Sequence, residues 1–209
     1  DEVLSGAIIG ETYQVERLLG QGGMGVVYEV VHLKLGRRFA LKLLKRELAR
    51  DADTRTHFLR VAQAACQIRH PNVVEITDYA SLPDGTAYLV MEFLDGLSLS
   101  QLIKRDGQMS IGRAVSLARD IAFGLDAAHQ VGVVHRDLKP DNVIVLQRPL
   151  RQTGGAEIAK ILDFGVAKLH VFEGNPALTL AEDLVGTFHY MSPEQVLGSS
   201  TVDACSDVW

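Results

Sequence analysis

Between Val131-Gly-Val-Val134 and Val143-Ile-Val-Leu146 the chain carries the octapeptide His135-Arg136-Asp137-Leu138-Lys139-Pro140-Asp141-Asn142. Short apolar runs rich in β-branched residues read as buried strands, so this polar segment is fixed at both ends by a core. Within Asp137–Asn142 lie a carboxylate, an ammonium and a carboxamide. Together they can accept a proton from a hydroxyl, neutralise a moving anionic group and ligate a hard cation. A polar connection with no chemistry would also join two strands, so the remainder of the chain must discriminate.

Composition narrows the classes. The 209 residues can bury a substantial core, as one domain or as two small lobes. A net charge of -5 argues against a nucleic-acid binder, because phosphate neutralisation needs a basic excess. Cys66 and Cys205 lack metal-ligand spacing and suggest reduced thiols in a cytosolic setting. No run of eighteen apolar residues occurs and no signal peptide is visible, so no membrane span is expected in these residues. The chain starts at Asp1 rather than a methionine and is expected to be part of something longer.

Upstream, Gly20-Gln21-Gly22-Gly23-Met24-Gly25 is flanked by Tyr13–Leu19 and Val26–Val31, both strand-like. A dinucleotide-binding fingerprint needs a helix directly after its glycines. β-formers follow instead, which favours a hairpin whose backbone N–H groups can approach phosphate oxygens. Arg38–Leu44 is a further strand with Lys42 inside an apolar run, where a snorkelling surface lysine is the bland alternative. Residues 55–69 place Phe58, Val61, Ala62, Ala65 and Ile68 on one helical face. Pro83-Asp-Gly85 marks a turn, and Ala87–Phe93 a strand leading to Gly96. Ser98 and Ser110 are candidate N-caps. The second opens a helix over 111–129 with Ala114, Ala118, Ile121, Leu125 and Ala128 on one face, ended by Gly132. Arg148–Gly155 reads as an enlarged loop, tolerated at small entropic cost.

Taken in order, the glycine hairpin, Ala40-Leu-Lys42, the octapeptide, Asp163-Phe164-Gly165, Ser192-Pro193-Glu194 and Asp207-Val208-Trp209 resemble the motif series of the bacterial branch of eukaryotic-type (Hanks-type) serine/threonine protein kinases. The resemblance implies an α+β, two-lobed fold. Its first lobe, about 10–92, would hold an antiparallel sheet and one helix; a linker over about 92–97 would lead to a mostly helical lobe from about 98 to 209. Further helices would follow Trp209, which looks like part of the opening of the central helix. Activity would be transfer of the γ-phosphoryl of ATP to a protein serine or threonine hydroxyl. In that scheme Asp137, Lys139 and Lys42 are catalytic, and Asn142 and Asp163 hold Mg²⁺. ATP would be bound by Gly20, Gln21, Gly22, Gly23, Met24, Gly25, Val27, Ala40, Lys42, Met91, Glu92, Leu94 and Ile144. Family habit adds self-association for trans-autophosphorylation, no nucleic-acid partner, and a cytoplasmic location with a membrane anchor outside these residues.

One departure stands out. Where the bacterial pattern commonly has Phe-Leu-Arg-Glu-Ala-Gln, this chain has Phe58-Leu-Arg-Val61-Ala-Gln, so the glutamate that pairs with the strand lysine is replaced by Val61. The alternative implied is a pseudokinase, a nucleotide-binding scaffold or regulatory module with impaired catalysis. In the activation segment Arg136 would receive a phosphothreonine. Asp183 stands near the usual acceptor position and Thr179 is the remaining acceptor. Glu194, whose family role is to pair with a later arginine, is expected to lack a partner here.

Overall fold

A computed structural model describes residues 4–23, 25–49, 51–147, 157–164, 188–198 and 202–209. Arg148–Gly155, Gly165, Thr179, Asp183 and Met24 lie outside the described residues. The chain divides into two compact units, Asp1–Cys66 with Glu75–Phe93, and Gln67–Val74 with Leu94–Trp209.

The first unit is built on a six-stranded antiparallel sheet ordered β1-β2-β3-β4-β6-β5. Its strands are β1 (Ile8–Ile9), β2 (Tyr13–Gln21), β3 (Gly25–His32), β4 (Arg37–Leu44), β5 (Ile76–Ser81) and β6 (Ala87–Glu92). The β2–β3 hairpin is the glycine turn expected from sequence, closed by Gly22 N–H donating to Gly25 O at 2.9 Å. At Gly25 a Cβ would stand 2.5 Å from Leu43 O, so only glycine lets β4 approach so closely. Successive residues of a strand point to opposite faces. One face of this sheet forms the core cluster of Tyr13, Val15, Tyr28, Val30, Phe39, Leu41, Tyr88 and Val90 with Ile9. Burying aromatic and β-branched side chains of this size supplies the main driving force for the sheet.

The helix expected beside the sheet is α2 (Ala52–Ala65), preceded by a single helical turn, α1 (Arg46–Ala49). The α2 helix starts earlier than residue 55 because Asp51 caps it, Oδ2 accepting the Thr54 N–H at 2.9 Å. It stops at Cys66, so Ile68 is buried from outside the helix. Its buried positions are Thr54, Phe58, Ala62 and Ala65, with Val61 half-buried beside them. The helix packs against β5 and β6.

The second unit carries a smaller antiparallel sheet, β7 (Leu97–Ser98), β8 (Val143–Gln147) and β9 (Glu157–Ile161), in that order. Ser98 caps α3 (Leu99–Asp106) in a capping box with Gln101, and Ser110 caps α4 (Ile111–Gln130), as the sequence implied. Gly132, at φ 76°, closes the C-terminal turn of α4 by donating to His129 O. Leu102, Leu117, Val143, Val145 and Ala159 make the core of this unit.

The packed face of α4 differs from the expected one. Leu117, Gly124, Leu125 and Ala128 are buried, whereas Ala114 and Ala118 are exposed, as are Ile111, Val115 and Phe123. Polar residues occupy the packed side because they bond to β9. Asp120 Oδ2 accepts the Ala159 N–H at 3.1 Å, and Arg113 grips Glu157 with two bonds of 2.8 Å. Gly124 lets the helix meet the 67–74 segment: a Cβ there would stand 2.8 Å from Asn72 O. Asn72 in turn bonds to β9, its Nδ2 to Ala159 O and its carbonyl from Ile161 N–H, both at 2.8 Å. Near the end of the described chain are a 3₁₀ turn Phe188–Tyr190, a short α5 (Pro193–Val196) and a 3₁₀ turn Ala204–Asp207.

Candidate active site

In the second unit, β8 and β9 pair with Val143 opposite Ile161. That register brings the residues preceding β8 against those following β9. Asn142 O accepts the Leu162 N–H at 2.8 Å, which sets Asp163 beside the octapeptide. His135, fully buried, links the two segments: its Nε2 lies 2.7 Å from Leu162 O, and its Nδ1 accepts the Asp137 N–H at 3.2 Å. Those opposite roles require a neutral imidazole. Burial indeed lowers the His135 pKa, outweighing the nearby carboxylates and the Leu162 carbonyl, which act in the other direction. The Phe164 ring, also buried, rests on His135 with centroids 5.0 Å apart.

Around Asp137 the predicted residues converge. Lys139 Nζ lies 3.1 Å from Asp137 Oδ2. Asn142 Nδ2 donates to Asp137 O at 2.8 Å and to Oδ2 at 3.2 Å. A 3₁₀ turn, Pro140–Asn142, returns the chain to β8 and makes this approach possible. Since the amide nitrogen of Asn142 is turned to Asp137, its oxygen faces the other way. Among the described residues no group of three or more His, Cys, Asp or Glu could hold a metal. An amide oxygen and the Asp163 carboxylate are nonetheless the donor type for Mg²⁺, which takes one or two protein carboxylates and fills its shell with water and phosphate oxygens.

The backbone here is strained. Arg136 and Asp163 sit at φ 62° and 52°, in the left-handed region. Such conformations cost about 1–3 kcal/mol each and persist where the surroundings over-determine them. Part of the restraint comes from Asp207, a carboxylate that is 1% exposed at its side chain. It accepts the N–H groups of His135 and Arg136 and lies 2.7 Å from His129 Nε2, all three contacts being 2.7 Å. The carbonyl of Arg136 accepts from Gln195 Nε2 at 2.6 Å. Glu194, expected to lack a partner, instead accepts the hydroxyl of Ser206, which holds its pKa below the ordinary value.

In the first unit the register assembles the other expected residues. Val27, Lys42 and Leu89 form one cross-strand row. Two residues along, Glu29, Ala40 and Met91 form the next, so both rows share the sheet face opposite the aromatic core. Lys42, Ala40 and Met91 are buried there. At Gly20 and Gly22 a Cβ would meet no atom within 4 Å, which leaves the backbone of the turn open to a ligand. Glu92 donates its N–H to Glu75 O at 2.9 Å. Leu94 and Ile144 belong to the second unit, Ile144 facing Lys160 in the β8–β9 ladder. The only acid in α2 is Asp53, in its first turn.

Sequence reasoning missed Glu29, a buried carboxylate on the Ala40–Met91 row bridged by Arg17 at 2.7 Å and Arg38 at 3.2 Å. A charge within Val26-Val-Tyr-Glu29-Val-Val was the available signal. It also missed Gln195, whose Ser192–Gln195 capping box was the available signal, and the role of Asp207, whose partners lie 71 to 78 residues away and leave no local mark.

A model of the protein kinase domain matches residues 13–209. The serine/threonine-protein kinase pkn3 of Myxococcus xanthus is 39% identical over 98% of this chain and 37% of its own length. PknB of Mycolicibacterium smegmatis is 36% identical over 96% of this chain and 31% of its own length. The chain therefore spans about a third of the curated relatives it matches. The crystal structure of the Mycobacterium tuberculosis PknI kinase domain superposes with a TM-score of 0.74 at 28% identity, covering 99% of this chain and 71% of that one.

Proposed function

Because the chain belongs to the protein kinase family, we propose that it transfers the γ-phosphoryl group of Mg-ATP to a serine or threonine hydroxyl of a protein substrate. The observation that carries this reading is the convergence of Lys139 and Asn142 on one oxygen of Asp137. Phosphoryl transfer needs positioning and charge neutralisation more than covalent chemistry. Asp137 orients the substrate hydroxyl and accepts its proton, while Lys139 balances charge on the transferring group. Asn142 and Asp163 supply oxygen ligands for Mg²⁺, which would neutralise the phosphate oxygens as the leaving group departs.

In the first unit Gly20, Gln21, Gly22, Gly23, Met24 and Gly25 form the backbone cradle for the phosphates, Gly22 by its open Cα since its N–H goes to Gly25 O, and Lys42 holds the α- and β-phosphates. Val27, Ala40 and Met91 give the adenine an apolar bed; Ile144 belongs to the same set in the second unit. Any adenine contact from Glu92 falls to its carbonyl, since its N–H goes to Glu75. The division into a lobe of about 10–92, a linker of about 92–97 and a second lobe from about 98 belongs to this proposal. So do a protein substrate, self-association for trans-phosphorylation and a cytoplasmic setting. Among the described residues no helix is long and apolar enough to cross a membrane.

A second reading is a pseudokinase that binds nucleotide without efficient turnover. Val61 favours it, because α2 offers no carboxylate at the position from which the family tethers its strand lysine. Transfer from γ-labelled ATP by the full-length protein, with an Asp137→Asn control, separates the two. An active kinase loses orders of magnitude in kcat in the control while nucleotide affinity holds, the pattern of an interaction used in the transition state. Nucleotide binding with no Asp137-dependent transfer selects the pseudokinase.

A further inference from the structure

The peptide plane joining Arg136 to Asp137 is gripped on both edges. Its N–H reaches His135 Nδ1 at 3.2 Å, and its carbonyl takes the Gln195 Nε2–H at 2.6 Å. The preceding peptide N–H, that of Arg136, is held by Asp207 Oδ1 at 2.7 Å. Between these restraints Arg136 remains at φ 62°. Gln195 is 3% exposed and uses its other end as well, Oε1 accepting the Ser192 N–H at 3.0 Å. Burying a primary amide is costly unless both ends are bonded. Here both partners are backbone groups, one in the catalytic loop and one at the start of α5.

We infer that Gln195 is a positioning residue for Asp137. Its amide N–H fixes the Arg136 carbonyl, which sets the plane from which the Asp137 side chain departs. Its amide oxygen ties the same plane to Ser192, so the segment opening α5 and the catalytic loop shift as one body. Gln195 touches neither substrate nor reacting atoms. Without it, the carbonyl edge of the Arg136–Asp137 peptide is no longer held and only the N–H restraints from His135 and Asp207 remain, so the plane tilts to relieve the left-handed strain and carries the carboxylate away from Lys139 and Asn142. The inference rests on Asp137 being the base of the proposed reaction.

The test uses the full-length protein, ATP and a synthetic serine/threonine peptide mixture. Gln195→Leu removes both bonds. Gln195→Glu keeps side-chain length and the acceptor for Ser192 but loses the donor, and it serves if the leucine variant does not fold. Each is expected to lower kcat at least about tenfold while KM for ATP changes less than about twofold. In an Arg136→Gly background the left-handed conformation carries no side-chain penalty. There the effect of the Gln195 substitution should shrink to under about threefold, a coupling that a purely structural role does not produce. Amide exchange over 135–139 should accelerate at least about tenfold in Gln195→Leu, while α4 is unchanged, as for a local opening. Unchanged kcat with unchanged exchange, or an equal loss in both backgrounds, overturns the inference. Transfer indifferent to Asp137→Asn sinks the functional reading instead. In that case exchange alone decides, and unaltered protection over 135–139 refutes the role of Gln195.

Discussion

Asp207→Ala removes the acceptor of two backbone N–H groups, the buried one of His135 and the half-buried one of Arg136, and the partner of His129. A buried donor left unsatisfied costs about 1–3 kcal/mol, and a bond to a charged acceptor is worth about 1.5–3 kcal/mol. These figures overlap, since each counts part of the same loss. Water reaching the vacated volume offsets another part, so the expected destabilisation is about 3–5 kcal/mol, the range for breaking a buried charge network. Asp203 is the control within the same 3₁₀ turn. It accepts the Cys205 N–H at 2.8 Å on an exposed surface, so Asp203→Ala should cost only about 1 kcal/mol, as for a lost cap. Denaturant titration of both variants against the parent measures the pair. For a chain of 209 residues, 3–5 kcal/mol corresponds to a fall in Tm of about 6–20 °C. Equal effects of the two substitutions, or less than about 1 kcal/mol for Asp207→Ala, would falsify the assignment of Asp207 as the anchor of the catalytic loop.

Gly124→Ala should destabilise by about 1–2 kcal/mol, because overpacking against Asn72 O and Ile161 exceeds the gain in helix propensity. Gly112→Ala, where a Cβ meets nothing within 4 Å, should be neutral or stabilising in the same melts. Burial lowers the pKa of His135, so above its ordinary value of about 6.5 neither state binds the proton and its contribution is complete. As pH falls below about 6.5 the unfolded chain takes up a proton the folded ring refuses, and stability drops toward the lowered pKa by up to about 1.4 kcal/mol per pH unit. That slope, measured between pH 6.5 and 5.5, should flatten by about one proton in His135→Asn; an unchanged slope would contradict it. Val61→Glu introduces a carboxylate at the α2 position where the family carries one, and should raise kcat at least about tenfold. The gain should vanish in a Lys42→Ala background, so equal gains with and without Lys42 would assign the effect elsewhere.

What the sequence determined by itself is whatever local spacing encodes. Ser98 and Ser110 cap helices because the bonds they make reach only three residues ahead. The glycine turn between β-formers could only be a hairpin, and the strand runs after Asn142 and before Asp163 suffice to pair β8 with β9; the apolar run Val131–Val134, expected as a strand, instead holds the exposed C-cap of α4 and irregular backbone. Once β8 and β9 pair, Asn142 and Leu162 must meet, so much of the candidate site was legible as a string. In the first unit the alternation of β3, β4 and β6 likewise places Val27, Ala40, Lys42 and Met91 on one face as soon as their register is known.

Tertiary structure decided the remainder. Counting alanines as apolar assigned Ala114 and Ala118 to the packed face of α4, yet Arg113 and Asp120 point to β9 because ion pairs and an unpaired strand N–H there outweigh two methyl groups. The α2 boundaries followed an Asp51 cap and not the apolar period. Most of all, while Asp163 is of a type that adopts the left-handed region more readily, the left-handed backbone at Arg136 has no sequence signature. It exists because Asp207 and Gln195 arrive 71 and 59 residues later to hold it. Contacts at such separation carry no period, and only the folded chain brings their partners within hydrogen-bond reach.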